Sequence, residues 1–291
     1  MSEPTLLIAV TSHNNLSLRG TVSLERTLDS IRTARELLRR ELPIRVALSW
    51  VDDGSDDGTP AWLARRLREE RDEWFLHNAV NRFAGAARNQ ATARIDADVI
   101  ALFDSDDEMY PEHLLVGWQA LNTPDASGRL PGWAISRCDF GGCEDVHPEW
   151  AERIANSSPC TKFFRRRVWE FIEGMPDACV YRITTEEDSD TARLAATFFE
   201  PAIIGRSTLR YWSYPGSHFD RQSTKFRLPP DEAPREDLSP RQRAAFELRD
   251  RLFDARVRYL KDKLERLLDP RSFDDLMTNF RVGGGDVADD V

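Results

Sequence analysis

The sequence predicts an α/β fold in which a mostly parallel sheet carries helices on both faces. Short apolar segments typical of buried strands alternate with amphipathic segments typical of helices through the first half of the chain. The predicted strands cover residues 6–10, 44–51, 74–77 and 99–103. The predicted helices between them cover residues 23–40, 60–71 and 84–95. Because the carboxyl ends of parallel strands meet at one edge of a sheet, we expect a ligand site at that edge.

Length and composition limit the classes of function. The 291 residues carry 50 acidic and 40 basic side chains, and this net charge of -10 argues against nucleic acid as a partner. No basic leader and no apolar run near the ~18 residues of a membrane span are visible, so we expect a cytoplasmic protein. The cysteines lack paired CxxC spacing, which favours free buried thiols over zinc ligands or disulfides. They are Cys138, Cys143, Cys160 and Cys179.

Composition divides the chain into five predicted segments. The second of them reads as short strands and loops, with helical patterns at 165–172 and 187–198 and a strand within 202–212. A Pro-rich linker and a long charged helix follow, and a Gly-rich tail is expected to be disordered. The segments are 1–122, an α/β half; 123–228, the irregular half of the same domain; 229–239, the linker; 240–281, the helical extension; and 282–291, the tail.

The helical extension carries an apolar stripe that needs a covering surface. The stripe consists of Phe246, Phe253, Val257, Leu260, Leu264 and Leu267. Over residues 240–269, nine basic and six acidic side chains give a net charge of +3 in a chain of -10. We consider three covering surfaces: the protein's own α/β domain, a second copy in a homodimer, or an anionic membrane surface.

The strand at 99–103 ends in a cluster of acids. Asp104, Asp106 and Asp107 follow it directly, and crowded carboxylates at a strand end repel one another. A divalent cation with oxygen ligands, Mg²⁺ or Mn²⁺, relieves this repulsion and suits a phosphate-bearing ligand. The alternative is a solvated acidic turn that caps the following helix.

The two preceding strands also end in polar turns. One turn holds Thr11 and His13, and the other, at residues 52–59, begins with Asp52 and Asp53. A nucleotide could lie across this edge, with a carboxylate accepting the N–H of its base and the metal on its phosphates. The alternatives are a helix-capping turn at 52–59 and an ordinary polar role for His13.

Three motifs, in this order and spacing, resemble those of glycosyltransferase family 2, the nucleotide-sugar transferases of the GT-A fold. They are residues 51–59, residues 81–89, and residues 104–107 with Pro111 beyond them. The resemblance covers about residues 5–220 and is specific for the family but not for a sugar. It implies a GT-A fold, a nucleoside-diphosphate sugar donor with a UDP-sugar favoured, a hydroxyl-bearing acceptor, and Mn²⁺ or Mg²⁺ as cofactor.

The same resemblance assigns roles to individual residues. It implies that Asp52 reads the base, that Arg88 lies near the diphosphate, and that Asp188, at the start of a helix, is the catalytic base. A base is needed because an acceptor hydroxyl is a poor nucleophile until a carboxylate takes its proton. The donor contacts implied are Thr11, His13, Asp52, Asp53, Asn81, Arg88 and Asp104. The metal ligands implied are Asp104 and Asp106. The alternative for Asp188 is an acid that only stabilises a helix start.

The sequence departs from the family pattern at two positions. Phe83 stands where the family usually has Gly, two residues after Asn81. Tyr214 stands where many members have a His that can bind the metal, and His218 is close enough in sequence to replace it. These departures bear on the shape of the donor pocket and on the third metal ligand.

We therefore predict a metal-dependent glycosyltransferase that inverts the anomeric carbon of its donor sugar. A sugar nucleotidyltransferase remains an alternative, although residues 11–18 lack the Gly-rich basic loop that it would need. An aspartyl phosphatase is a weaker alternative, because the turn at 52–59 does not match its motif. A catalytically silent nucleotide-sugar-binding module is another, and the presence of Asp188 argues against it.

Overall fold

One mixed β-sheet organises the part of the protein that the computed structural model describes, residues 3–67, 72–143, 145–234 and 237–267. Its strands, numbered β1 to β8 in chain order, are Thr5–Ser12, Arg45–Asp52, Glu73–His77, Val99–Asp104, Glu108–Met109, Trp133–Gly141, Lys162–Arg165 and Pro201–Trp212. They lie in the order β3-β2-β1-β4-β7-β6-β8-β5. The mixed α/β class predicted from the sequence is confirmed.

The helices of these residues, numbered α1 to α11, are Asn15–Glu41, Thr59–Arg66, Ala84–Ala93, His113–Leu121, Pro148–Ser157, Arg166–Phe171, Tyr181–Thr184, Glu187–Phe198, His218–Arg221, Ser223–Phe226 and Pro240–Leu267. Helix α1 begins eight residues before the predicted start at 23, because a break at Gly20 (φ 74°, ψ 176°) separates its first turn from its periodic part. Helix α2 ends at Arg66, and the predicted continuation to 71 falls largely outside the described residues. The predicted tail at 282–291 also lies outside them.

The first four long strands bring the predicted polar turns to one edge. Strands β1, β2 and β4 are parallel, and the register pairs Ser12 with Asp52 and Thr11 with Asp104. Strand β3 continues the parallel order on the far side of β2, with His77 paired to Asp52. The carboxyl ends of these strands therefore form one continuous edge, as the sequence predicts.

Both faces of the sheet are covered, which explains why its strands read as unbroken apolar runs. Alternate residues of β1 point to opposite faces: Ile8 packs into the cluster with α1 and α4, and Ala9 packs into the cluster with α3, α6 and α8. Ile31 of α1 and Ile100 of β4, on opposite faces, have no exposed surface. Each such side chain contributes about 1.5–3 kcal/mol through its burial, so this half of the sheet is a rigid base for the edge.

The second half is more regular than the sequence predicts. Strand β7 pairs antiparallel with β4 and with β6, and β6 pairs parallel with β8, so one sheet runs through both predicted halves. Strand β7 is only four residues long and begins with the buried Lys162, and β6 has register shifts between Ile135 and Cys138. Short strands with a charge or an irregular register give no clear alternation, which is why the sequence of this region is typical of irregular structure.

Helix α11 packs on its own domain through the predicted stripe. Phe253 and Leu260 are buried, and Val257 and Leu264 pack against the cluster that contains α6 and α8. The guanidinium of Arg249 makes two hydrogen bonds, of 2.6 and 2.9 Å, to the buried carboxylate of Asp190. Of the three covering surfaces considered, the structure shows the first. None of the described helices has both the length and the apolar composition that a membrane span requires.

Candidate active site

A guanidinium joins two of the predicted acids at the carboxyl edge of the sheet. Arg88 lies on the buried face of α3, Asp104 ends β4, and Asp188 lies in the first turn of α8. Arg88 donates from Nη2 to Asp104 Oδ1 at 2.6 Å and from Nη1 to Asp188 Oδ1 at 2.7 Å. The Oε1 atom of Glu187 lies 3.9 Å from Nη1. The structure thus brings together three residues that are far apart in sequence and that the sequence predicts as functional.

Burial and charge set the protonation of this group. Burial alone lowers the pKa of Arg88, but Asp104, Asp188 and Glu187 outweigh it and raise that pKa above its ordinary value. Burial raises the pKa of Asp188 to about 7, against the opposing charge of Arg88 and with further increases from Glu187 and Asp104. A carboxyl group with a pKa near neutrality can accept a proton and release it again at physiological pH.

The other two acids of the cluster have separate partners. Asp106 Oδ2 lies 2.7 Å from Nε of Arg19. Asp107 is buried, and it accepts hydrogen bonds from the backbone N–H of Trp212 at 2.9 Å and from Sγ of Cys160 at 3.3 Å. Burial raises the pKa of Asp106, with Arg19 opposing and Asp104 adding to the rise. Burial and the two neighbouring acids raise the pKa of Asp107 well above its ordinary value.

These acids fit a divalent cation. Ligand atoms of Asp104, Asp107 and Cys160 all lie within 4.8 Å of one another. Burial and mutual repulsion raise the pKa values of Asp106 and Asp107, and a bound cation relieves the repulsion. Carboxylate oxygens are the ligands that Mg²⁺ and Mn²⁺ prefer. Cys160 fits poorly, because burial raises the pKa of its thiol well above the usual value and only the thiolate is a good ligand. The thiol is free, like those of the other three cysteines, of which Cys179 is exposed.

Tyr214, which replaces the family's His, is engaged in hydrogen bonds beside the acid cluster. Its hydroxyl donates to the backbone carbonyl of Asp106 at 2.9 Å and accepts a hydrogen bond from Arg26. The guanidinium carbon of Arg26 lies 4.0 Å from the ring centroid of Trp212. A third metal ligand from Tyr214 would require these bonds to break, and the side chain of His218 lies outside the described part of the structure.

The predicted base-reading acid is bound inside the protein. Asp52 has no exposed surface, and it accepts hydrogen bonds from Oγ of Ser12 at 3.1 Å and of Ser55 at 2.7 Å. Nδ1 of His77 lies 2.8 Å from its other oxygen. These bonds tie together the ends of β1, β2 and β3, and a direct contact of Asp52 with a base stays a prediction.

The remaining predicted donor contacts surround this junction. Asp53 is buried and accepts two hydrogen bonds from the backbone N–H of Arg82, at 2.9 and 3.1 Å. Asn81 accepts one at 2.9 Å from the backbone N–H of Phe83. Thr11 is buried at the end of β1, and His13 is exposed beyond it. Of this set, His13 is therefore the side chain most accessible to a ligand.

Phe83 occupies the family's Gly position in a backbone conformation that glycine favours. Its φ is 73° and its ψ is 160°, a region that costs other residues about 1–3 kcal/mol. The ring is 41% exposed, and the guanidinium carbon of Arg182 lies 4.2 Å from its centroid. Phe83 therefore places an exposed aromatic ring on a loop whose backbone conformation glycine would adopt without strain.

Several residues near the site carry no assignment from the sequence. His77 ends a parallel strand, and the rule that selected the other strand ends could have found it. Lys162 is buried, and burial lowers its pKa to about 7, with Asp188 opposing. Arg19 and Arg26 belong to a helix whose periodicity gives no sign of a site. Only the folded chain places these cations beside the acids.

A cavity of about 760 Å³ extends from Asp104 and Asp188 toward the carboxyl-terminal part of the chain. Residues of α5, α9 and α10 contribute to its wall, as do Gln242 and Phe246 of α11. The volume is within the range of small-molecule sites. Helix α11 therefore has a second function besides covering the domain, since it closes one part of this cavity.

An α/β sheet with clustered acids, an arginine and a helix-start carboxylate at its carboxyl edge belongs to the class of proteins that bind their ligands in a crevice at that edge. The model of the family described as "Glycosyl transferase family 2" matches residues 8–187. The chain belongs to this family, and the family predicted from the sequence is confirmed. No curated protein sequence matches the chain significantly.

Solved structures show the same fold. The S. aureus TarS fragment 1-349 in complex with UDP-GlcNAc is similar with a TM-score of 0.56 and 16% identity, over 74% of this chain and 60% of that one. The mannosyltransferase PcManGT from Pyrobaculum calidifontis in complex with GDP-Man and Mn²⁺ gives 0.53 and 16%, over 96% of this chain and 80% of that one. The chain thus spans about three-fifths of the TarS fragment. At this identity the likeness shows the fold alone, and it confirms the GT-A architecture.

Proposed function

We propose that the protein is a metal-dependent, inverting glycosyltransferase that moves a sugar from a nucleoside diphosphate, with UDP favoured, to an acceptor hydroxyl. The observation that carries the proposal is the Arg88 guanidinium bound to both Asp104 and Asp188, at 2.6 and 2.7 Å. Family membership supports it, and so do neighbours whose structures contain UDP-GlcNAc or GDP-Man with Mn²⁺.

Asp188 is the general base of the proposed reaction. It takes the proton of the acceptor hydroxyl while the oxygen forms a bond to the anomeric carbon, and the bond from that carbon to the diphosphate oxygen breaks. A single displacement of this kind inverts the anomeric configuration. Arg88 holds Asp188 in place and puts a positive charge next to the departing diphosphate.

Asp104 holds the cation in this proposal, together with Asp106 as the sequence predicts or with Asp107 as its proximity to Asp104 suggests. When bound, Mn²⁺ or Mg²⁺ supplies positive charge that stabilises the leaving diphosphate. The donor contacts from Thr11, His13, Asn81 and the 52–53 turn belong to the same proposal. The cytoplasmic location expected from the sequence remains a prediction.

A thermal-shift screen tests the proposed ligands. Full-length protein is heated with UDP, GDP and other nucleoside diphosphates, with and without Mn²⁺, because a ligand that binds only the folded state raises the melting temperature. We expect the largest rise with UDP and Mn²⁺ together. No rise with any nucleoside diphosphate would contradict the proposal.

An assay of donor consumption separates the alternatives. A glycosyltransferase releases nucleoside diphosphate from its sugar donor, and a silent binding module binds the donor without release. A sugar nucleotidyltransferase instead forms the donor from a nucleoside triphosphate and a sugar phosphate. The pKa of Asp188 near neutrality supports the first alternative, because a binding module has no use for a poised base.

The protonation of Asp188 predicts the pH dependence of transfer. A base must be ionised to accept a proton, so kcat/KM for the acceptor should rise with pH and level off above about 7, the pKa of this carboxyl group. The measurement is a series of initial rates at constant ionic strength, with melting temperatures recorded at each pH as a control. Activity that is flat or falls over this range would exclude Asp188 as the base.

The α/β domain covers most of the apolar stripe of α11. This supports packing of the helix within its own chain, and it argues against a homodimer or a contact with an anionic membrane. We expect light scattering to give the mass of a monomer and anionic liposomes not to sediment the protein. A concentration-independent dimer, or co-sedimentation that salt abolishes, would restore one of the two association hypotheses. In that case the exposed Leu248, Leu252 and Tyr259 of α11 are the surface to mutate first.

A further inference from the structure

The cavity beside Asp188 has two kinds of charged wall. Asp104, Glu186 and Asp188 line it from β4 and the start of α8. Arg221 and Lys225 line it from α9 and α10. Under the proposed function, the carboxylates are where the acceptor hydroxyl reacts. The two cations have no part in that chemistry, so they require a separate account.

The two cations lie close together in a protein that is acidic overall. Arg221 and Lys225 are four residues apart in a chain with a net charge of -10. The neighbouring carboxylate of Asp220 accepts a hydrogen bond of 2.7 Å from the backbone N–H of Gly216. The ammonium of Lys225 lies 5.2 Å from the ring centroid of Trp150, which limits the directions that it can take. Both side chains contribute to the wall of the cavity.

The rest of the wall near these cations is partly apolar and partly polar. Ile154, Phe219, Phe226 and Phe246 line the cavity from α5, α9, α10 and α11. Gln222 lines it as well, so this part of the cavity offers apolar contacts and hydrogen-bond partners to a small molecule. A molecule bound here would place one end at the carboxylates and the other at the cations.

We propose, building on the proposed function, that the acceptor carries a phosphate group which Arg221 and Lys225 bind while its hydroxyl faces Asp188. A guanidinium offers a planar fork of N–H donors to phosphate oxygens, and an ammonium adds a compact positive charge. The same cations could instead bind the diphosphate of the donor, and the experiment below distinguishes the two ligands.

Calorimetry with the full-length protein tests the cavity directly. The probe is glycerol 3-phosphate, the neutral comparison is glycerol, and EDTA is present so that phosphate cannot bind through a divalent cation. We expect glycerol 3-phosphate to bind with one site per chain and glycerol to give no measurable heat. The variant Arg221→Gln/Lys225→Gln should weaken this binding about tenfold or more, because two charge-assisted contacts are lost. Arg227→Gln, an exposed cation of the same segment that does not line the cavity, is the matched control and should bind like the original protein.

Titration of UDP in the presence of Mn²⁺ supplies the second readout. The proposal expects the double variant to bind UDP with unchanged affinity and to melt at the same temperature. It is overturned if the original protein does not bind glycerol 3-phosphate, if the double variant binds it equally well, or if the double variant loses UDP affinity, which would assign the cations to the donor. Failure of the original protein to bind UDP would instead contradict the proposed function, because the phosphate titration does not depend on the nucleotide.

Discussion

Replacing Asp188 by alanine should lower turnover by about 10² or more while the affinity for the donor barely changes, because the general base acts only on the acceptor. The buried guanidinium of Arg88 keeps its 2.6 Å bond to Asp104 in this variant, so the site should stay folded. Turnover by initial rates and donor affinity by calorimetry are the two measurements. Asp188→Asn, which keeps the size of the side chain, should show the same loss.

Glu187 provides the matched control for this prediction. It occupies the preceding position of the same helix start, and its Oε1 atom lies 3.9 Å from Arg88, beyond hydrogen-bond distance. We expect Glu187→Gln to keep most of the turnover. If Glu187→Gln is inactive and Asp188→Ala is nearly normal, the base is Glu187. If both variants turn over normally, the proposed mechanism lacks its base and is wrong.

Replacing Asp106 by asparagine should abolish transfer and remove the metal-dependent part of nucleotide binding, with the fold intact. The substitution keeps the shape of the side chain and removes a charge that a divalent cation needs in its ligand set. Calorimetric titration of UDP with and without Mn²⁺ measures the metal-dependent part directly. We expect the variant to bind UDP equally weakly under both conditions.

A variant of Arg19 is the control for this experiment, because Nε of Arg19 lies 2.7 Å from Oδ2 of Asp106. If Asp106 serves only that ion pair, Arg19→Gln should reproduce the defect of Asp106→Asn. If Asp106 binds the cation, Arg19→Gln should leave Mn²⁺ dependence in place or strengthen it, because the competing cation is gone. Unchanged UDP affinity and turnover in Asp106→Asn, together with a defect in Asp107→Asn, would move the second metal ligand to Asp107.

The sequence predicts the donor-side half well because the physical signals there are local. Apolar runs mark strands buried on both faces, and three-to-four-residue periodicity marks the helices that cover them. The parallel order then places the turns after β1, β2 and β4 at one edge. Asp104 could be selected in this way, whereas Arg88 is selected by the resemblance of residues 81–89 to a family motif.

The remaining features depend on contacts between distant parts of the chain. Strand β7 pairs with β4, which lies more than sixty residues earlier in the sequence. No pattern within Lys162–Arg165 indicates a buried strand. The bonding of Asp52 to Ser12 and His77 follows from three strands meeting, and the motif alone does not distinguish a buried acid from one that faces a ligand. The pairing of Arg19 with Asp106 joins residues 87 positions apart, and so it has no signature in either segment.

The break in α1 at Gly20 places the two arginines near Asp106 on different parts of the helix. Arg19 lies before the break, on a single turn that non-helical backbone connects to the rest of the helix. Arg26 lies after it, on the part whose face, including Leu24 and Leu28, is buried in the core. The turn that carries Arg19 is anchored as well, because Asn15 donates a hydrogen bond to the backbone carbonyl of Ser105 and the backbone N–H of Ser17 donates one to Asp57. If Asp106 binds the proposed cation, its release therefore requires a rotation of the Arg19 side chain alone, with no repacking of the core.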